Sequence, residues 1–92
     1  MLEKTVEKYL CDRVKATGGG QRKMTFLGHR GAPDRLVGWD DVHIMVELKK
    51  PKGKGAEDHQ RREHRWLRSI GIDVRVIHTK EEVDAFILEM TT

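Results

Sequence analysis

"DRLVGWDDVHIMVELKK", residues 34–50, alternates apolar and polar side chains on either side of a double aspartate, the pattern of two β-strands joined by a tight turn. If Asp40 and Asp41 are the whole turn, Trp39 pairs with Val42 and Asp34 falls directly opposite Glu47. Asp34, Leu36, Gly38, His43, Met45, Glu47 and Lys49 then share one face of the hairpin. Val37, Trp39, Val42, Ile44, Val46 and Leu48 share the other, which reads as a core surface. Asp-Asp is not the Asn-Gly type of pair that favours such a turn, and a slip of one residue would leave the two acids diagonal instead of opposed.

Around this hairpin the chain alternates helices and strands. Residues 2–16 carry Leu2, Val6, Tyr9, Leu10 and Val14 at helical spacing, with acids early and Arg13 and Lys15 late, as the helix dipole prefers. Three glycines at 18–20 end that helix, residues 22–28 read as a short strand, and the Gly- and Pro-containing stretch 29–34 reads as a turn. After a basic loop at 51–58, Asp58 is a candidate cap for a helix over 59–70, whose Trp66, Leu67 and Ile70 form an apolar stripe. Gly71 stops it. A strand over 72–79 and a short helix over 80–90 complete the order αβββαβα. The fold class is α/β, a mixed sheet flanked by helices, with a right-handed crossover joining parallel strands between Val42 and Thr79.

Ninety-two residues are expected to form one domain, 1–92, near the small end of what folds alone. With 36% charged and 37% hydrophobic residues, the composition suits a folded chain instead of a disordered tail. No apolar run approaches the roughly 18 residues of a membrane span, and the N-terminus lacks a signal peptide's apolar centre, so a soluble, cytoplasmic protein is expected. Cys11 is the single cysteine, which excludes an internal disulfide and a cysteine-based zinc cluster. His59 and His64 are five apart, a spacing that does not put both on one helix face as a zinc pair requires.

The net charge of +3 hides a gradient. Residues 49–68 hold eight Lys and Arg against three acids, whereas residues 72–92 hold five acids against Arg75 and Lys80. A basic segment of this kind fits a polyanion, because each phosphate contact releases condensed counterions, and fits a solvated helix face equally well.

Two opposed carboxylates on a sheet repel by about 4 kcal/mol at ~4 Å and an effective dielectric of 20. A fold tolerates that if a cation lies between them or one carboxyl keeps its proton. Hard divalent ions take oxygen ligands, often one or two carboxylates with several waters, and such an ion would acidify a bound water and neutralise charge on a phosphoryl oxygen. Lys49, on the face of Glu47, is placed to stabilise the negative charge that grows in such a reaction.

Pro33-Asp34 followed by Glu47-Leu48-Lys49 resembles the signature of the PD-(D/E)XK nucleases, whose restriction-endonuclease-like core is αβββαβ. "LEKTVEKYLCDRVKATGGGQRKM", "RGAPDRLVGW", "VHIMVELKKPKGKG" and "DHQRREHRWLRSIGIDVRVIHT" together are similar to a stand-alone VRR-NUC (virus-type replication-repair nuclease) domain over nearly the whole chain. The resemblance implies that Asp34, Glu47 and the backbone carbonyl of Leu48 bind Mg²⁺, for which Mn²⁺ can substitute. It makes Lys49 the catalytic lysine and Gln60 a residue that orients water or substrate, and it brings Glu3 to the same site, with Glu7, one turn later, as the rival. Lys23 matches a basic position of the family, and Lys50, Lys52 and Lys54 form a candidate phosphate clamp. Ala32 stands where the family usually has a bulkier residue.

The implied function is a metal-dependent DNA endonuclease that resolves four-way (Holliday) junctions as a homodimer, with no membrane role. Water attack on the phosphorus would expel the 3′ oxygen. The rivals are a nickase or flap endonuclease using the same residues, and a catalytically silent DNA-binding module. Taken singly, Asp34 is an ordinary turn residue, Glu47 and Lys49 a strand pair worth little, and Gln60 a surface glutamine; together, in order and in register, they point to a site.

Overall fold

The computed structural model describes residues 3–49 and 58–92. Its elements are α1 (Glu3–Ala16), β1 (Gly20–Lys23), β2 (Arg35–Trp39), β3 (Val42–Leu48), α2 (Asp58–Ser69), β4 (Val74–Ile77) and α3 (Lys80–Thr91). The four strands form one mixed sheet in the order β1-β2-β3-β4, antiparallel except for the parallel β3–β4 pair that α2 connects. The expected αβββαβα order is the observed one. Among the described residues, no helix is long and apolar enough to cross a membrane.

The hairpin adopts the register of the two-residue turn: Trp39 pairs with Val42 and Arg35 with Val46. No described non-glycine residue has a positive φ, so Asp40-Asp41 is not a type I′ turn. Val37, Ile44, Val46 and Leu48 are buried on one face, where they meet Val6, Leu10 and Val14 of α1 and Val83, Phe86 and Ile87 of α3. Trp39 closes the edge of this core: its ring lies 6.1 Å from that of Phe86, and its indole N–H donates to Thr17 Oγ1 at 3.0 Å. The two helices are tied to each other by the Tyr9 hydroxyl, which donates to Asp84 at 2.6 Å. Thr79 caps α3 by accepting from the Glu82 amide.

α2 packs on the opposite face, over β4. There Leu67 and Val74 are buried outside the main core, and His64 is 2% exposed. Of the expected stripe on this helix only Leu67 is buried; Trp66 and Ile70 are 55% and 56% exposed. The inward row is instead Gln60, His64 and Leu67, which lie on one side at the i, i+4, i+7 spacing. Asp58 is the first residue of α2, and its carboxylate accepts from the Arg61 guanidinium at 2.6 Å.

The first strand lies earlier than expected. It spans Gly20–Lys23, not 22–28, and it pairs with Arg35–Gly38. The Met24 amide donates to the Asp34 carbonyl, and the ladder stops there. The chain from 24 to 34 is therefore irregular, and Gly31 within it has φ +93°. A Cβ at Gly31 would stand 2.6 Å from the carbonyl oxygen of His59 and 3.0 Å from Cα of Gln60, so this loop lies directly on the first turn of α2. Gly31→Ala combines a left-handed backbone with a backbone clash, and we expect it to lower stability by about 2 kcal/mol or more. Urea unfolding checks this; an unchanged midpoint would show that the loop does not abut the helix.

Candidate active site

The site forms where the hairpin's open end meets the start of α2. Asp34 stands one position beyond the last β2–β3 pair, Arg35 with Val46, and Glu47 stands one position beyond it on β3. Asp34 Oδ2 accepts the Leu48 amide at 2.8 Å, so the aspartate side chain takes over the hydrogen bonding where the ladder ends. Strand alternation turns Glu47 away from the core and beneath α2. It is 3% exposed, an extreme position for a carboxylate.

Two donors reach Glu47, and both reach the same oxygen. Gln60 Nε2 donates to Oε2 at 2.9 Å, and Lys49 Nζ lies 3.3 Å from it. Oε1 is buried and has no hydrogen-bond partner among the described residues. Burial pushes the Glu47 carboxyl above the ordinary glutamate range and the Asp34 charge adds to this, while Lys49 and Gln60 pull it back only in part. An orphaned carboxylate oxygen, a second carboxylate nearby and a lysine with one exposed flank form a donor set that fits a hard divalent cation. Among the described residues no group of three or more His, Cys, Asp or Glu side chains could hold a metal ion, so the pair Asp34 and Glu47 would leave most positions on such an ion to water or substrate.

Four residues expected at the site are thus brought together: Asp34, Glu47, Lys49 and Gln60. Leu48 meets Asp34 through its amide. Glu3, on the half-buried first turn of α1, is not drawn into a carboxylate cluster with Asp34 and Glu47. Its rival Glu7 is engaged elsewhere, accepting from Arg35 Nε at 3.0 Å, and Arg35 in turn donates to Gln21 Oε1 at 2.6 Å. Lys23 is exposed at the end of β1, where it pairs with Arg35 and so lies on the sheet face opposite Asp34. Arg22, paired with Leu36, takes the site's face instead. Lys50, Lys52 and Lys54 lie outside the described residues.

His64 is the residue that sequence reasoning passed over. It follows Gln60 by one turn, and its Nε2 is buried with no partner among the described residues. Burial lowers its tendency to protonate, and the charges of Arg68 and Lys49 lower it further. The available signal was its place between Gln60 and Leu67 in the inward row of α2.

Glu47 costs the fold stability. Because the folded chain holds the Glu47 proton more tightly than the unfolded chain does, stability falls as pH rises from the ordinary glutamate range through the raised value. Glu47→Gln keeps an acceptor for Gln60 and removes the charge. In chelator at about pH 8 this variant should unfold at a higher temperature than wild type, with the gain shrinking as the pH falls into the ordinary carboxylate range. Thermal unfolding across that range reads the difference, and a variant less stable throughout would contradict a destabilising Glu47.

No family model matches the chain. It is 38% identical over 80 residues to "Putative nuclease p44" of Acyrthosiphon pisum secondary endosymbiont phage 1, a match covering 86% of this chain and 85% of the phage protein. A solved structure described as a VRR_NUC domain superposes with a TM-score of 0.87 and 39% identity, covering 94% of both chains. With the Asp34, Glu47 and Lys49 constellation at the hairpin's open end, the chain belongs to the VRR-NUC family of nucleases.

Proposed function

We propose that the protein is a divalent-metal-dependent, structure-selective DNA endonuclease that resolves four-way junctions as a homodimer, in the cytoplasm of a bacterial or phage-infected cell. The observation that carries the catalytic part is the buried, half-satisfied Glu47 held by Lys49 and Gln60 beside Asp34. A carboxylate kept only for structure would not be buried with one oxygen unpaired, because that arrangement is less stable than a neutral side chain of the same shape. This argues against a silent binding module.

The reaction is phosphodiester hydrolysis: a water oxygen attacks phosphorus and the 3′ oxygen leaves, so that the product carries a 5′ phosphate. Asp34 and Glu47 would hold Mg²⁺ or Mn²⁺, which when bound lowers the pKa of water and neutralises charge on the phosphoryl oxygens. Lys49 turns from Glu47 to the scissile phosphate and donates to the oxygen on which negative charge grows. Gln60 fixes the Glu47 carboxylate and, with its amide oxygen, can orient the attacking water. Leu48 contributes its amide to Asp34 and so fixes that carboxylate as well.

The homodimer follows from chemistry: cutting two strands of a junction symmetrically needs two sites related by a twofold axis, and one chain supplies one site. Trp66 on α2 and Ile70 just past its end, each more than half exposed, are an apolar surface of the sort a second copy would cover.

With labelled four-way junctions, flaps and plain duplex in Mg²⁺ or Mn²⁺, we expect junction cutting. We expect Lys49→Ala to lose about 10²–10³-fold in rate and Glu47→Gln to fall below detection. Cutting of flaps with junctions intact would favour the nickase or flap reading. Equal junction binding by wild type and both variants, with no cutting by any of them, would favour the binding module. Sedimentation should give twice the chain mass, and Trp66→Glu should reduce it to one; a wild-type monomer would remove the resolvase reading.

A further inference from the structure

Beside the site, along the flank of α2 where it meets β4, lies a groove of about 270 Å³ lined by Arg61, His64, Arg65, Arg68 and Val76. The three arginines follow one another at i, i+4 and i+7 and so form a single row along the helix, next to the inward row of Gln60, His64 and Leu67. Val76 is the register partner of Glu47 across the parallel β3–β4 pair, so the groove begins one strand away from the candidate catalytic carboxylate, about 4.8 Å in sheet spacing. We propose that this groove is the track for the DNA backbone flanking the scissile phosphate, with Arg61, Arg65 and Arg68 contacting consecutive phosphates of one strand. The proposal rests on the nuclease reading above and extends it to residues that reading does not use.

Spacing and charge both support this occupant. At about 1.5 Å rise per residue the row from Arg61 to Arg68 runs about 10 Å, long enough for three arginine side chains to reach neighbouring phosphates of one strand, which stand about 3.4 Å apart along the duplex axis. Its direction is set by α2, whose first turn holds Gln60 against Glu47, so the row leads away from the site along the helix. Arg65 makes no ion pair among the described residues, and the Arg61–Asp58 pair is exposed on both sides, so phosphate can displace it at little cost. Arg68 is held in place by donating to the Val74 carbonyl at 2.8 Å. Among the described residues, no carboxylate lines the groove. At its inner edge stands His64, itself buried in the row of α2 that faces the sheet. Trp66 and Ile70 lie on the opposite flank of α2, so a dimer formed through them leaves the groove open.

The test measures binding of a fluorescently labelled four-way junction and of plain duplex in chelator, where no cutting occurs, over a range of salt concentrations. The proteins are wild type, Arg65→Gln, the Arg61→Gln/Arg65→Gln double variant, and Lys15→Gln as an equal charge loss on α1, across the sheet. Each groove arginine removed should lower the slope of log affinity against log salt by about 0.9, and the double variant by about 2, with thermal stability and the Lys15→Gln slope unchanged from wild type. Wild-type slopes in the double variant, in a protein that itself binds DNA, would overturn the track while leaving the nuclease reading intact. A wild-type chain that neither binds nor cuts DNA would overturn both. Slopes that fall equally in Lys15→Gln would reduce the effect to net charge and overturn the track alone.

Discussion

The pairing of Trp39 with Val42 across Asp40-Asp41 is the constraint on which the site depends. Side chains alternate along a strand, so this one pairing decides which face every residue of β2 and β3 presents. With it, Val37, Ile44, Val46 and Leu48 enter the core under α1 and α3, and Asp34 and Glu47 emerge together on the other face at the hairpin's open end. A slip of one residue would put one carboxylate in the apolar core, so burying the core also brings the two acids together. The Leu48 amide then takes Asp34 Oδ2, which joins the last hydrogen bond of the strand to the first group of the site.

The two faces of the sheet are covered by different means. α1 and α3 bury Val, Leu, Ile and Phe in a continuous apolar cluster. α2 turns Gln60, His64 and Leu67 inward, and of these only Leu67 is apolar. A helix held by so little apolar burial needs other attachments: Gln60 on Glu47, Arg68 on the Val74 carbonyl, and the Gly31 loop against its first turn. These contacts also place the catalytic groups, so the docking of α2 and the shape of the site are one problem.

Much of this was legible in the sequence because it depends on period-two alternation and on helix punctuation. The two-faced strand at Val42–Leu48 follows from spacing, and the grouping of Asp34, Glu47 and Lys49 follows once the two-residue turn is taken, whereas the sequence left the register across Asp40-Asp41 open to a slip of one. What was not legible depends on tertiary partners. The first strand lies at Gly20–Lys23 because it pairs with Arg35–Gly38, and the apolar residues Met24 and Phe26, which lie past the end of that ladder, do not reveal the pairing. Trp66 is exposed because α2 covers the β4 side of the sheet and buries a narrow row, and that row is polar where it passes the site. A search for apolar stripes therefore selects the wrong flank of this helix. Glu7 lies at the right spacing to rival Glu3, yet Arg35, on the α1 side of the sheet, holds it there.

The arrangement links stability to function through a single carboxylate oxygen. Glu47 Oε2 satisfies both Gln60 and Lys49, leaving Oε1 as the group whose desolvation nothing among the described residues offsets. Replacing Glu47 with an apolar residue would remove that cost, but it would also release Gln60, and with it the polar contact that seats the first turn of α2. The unpaired oxygen is thus an acceptor that an added proton or a cation would complete, and a cation there would act on two elements at once. It would lower the energy of β3's carboxylate and, through Gln60, tighten α2 with its row of arginines against the sheet.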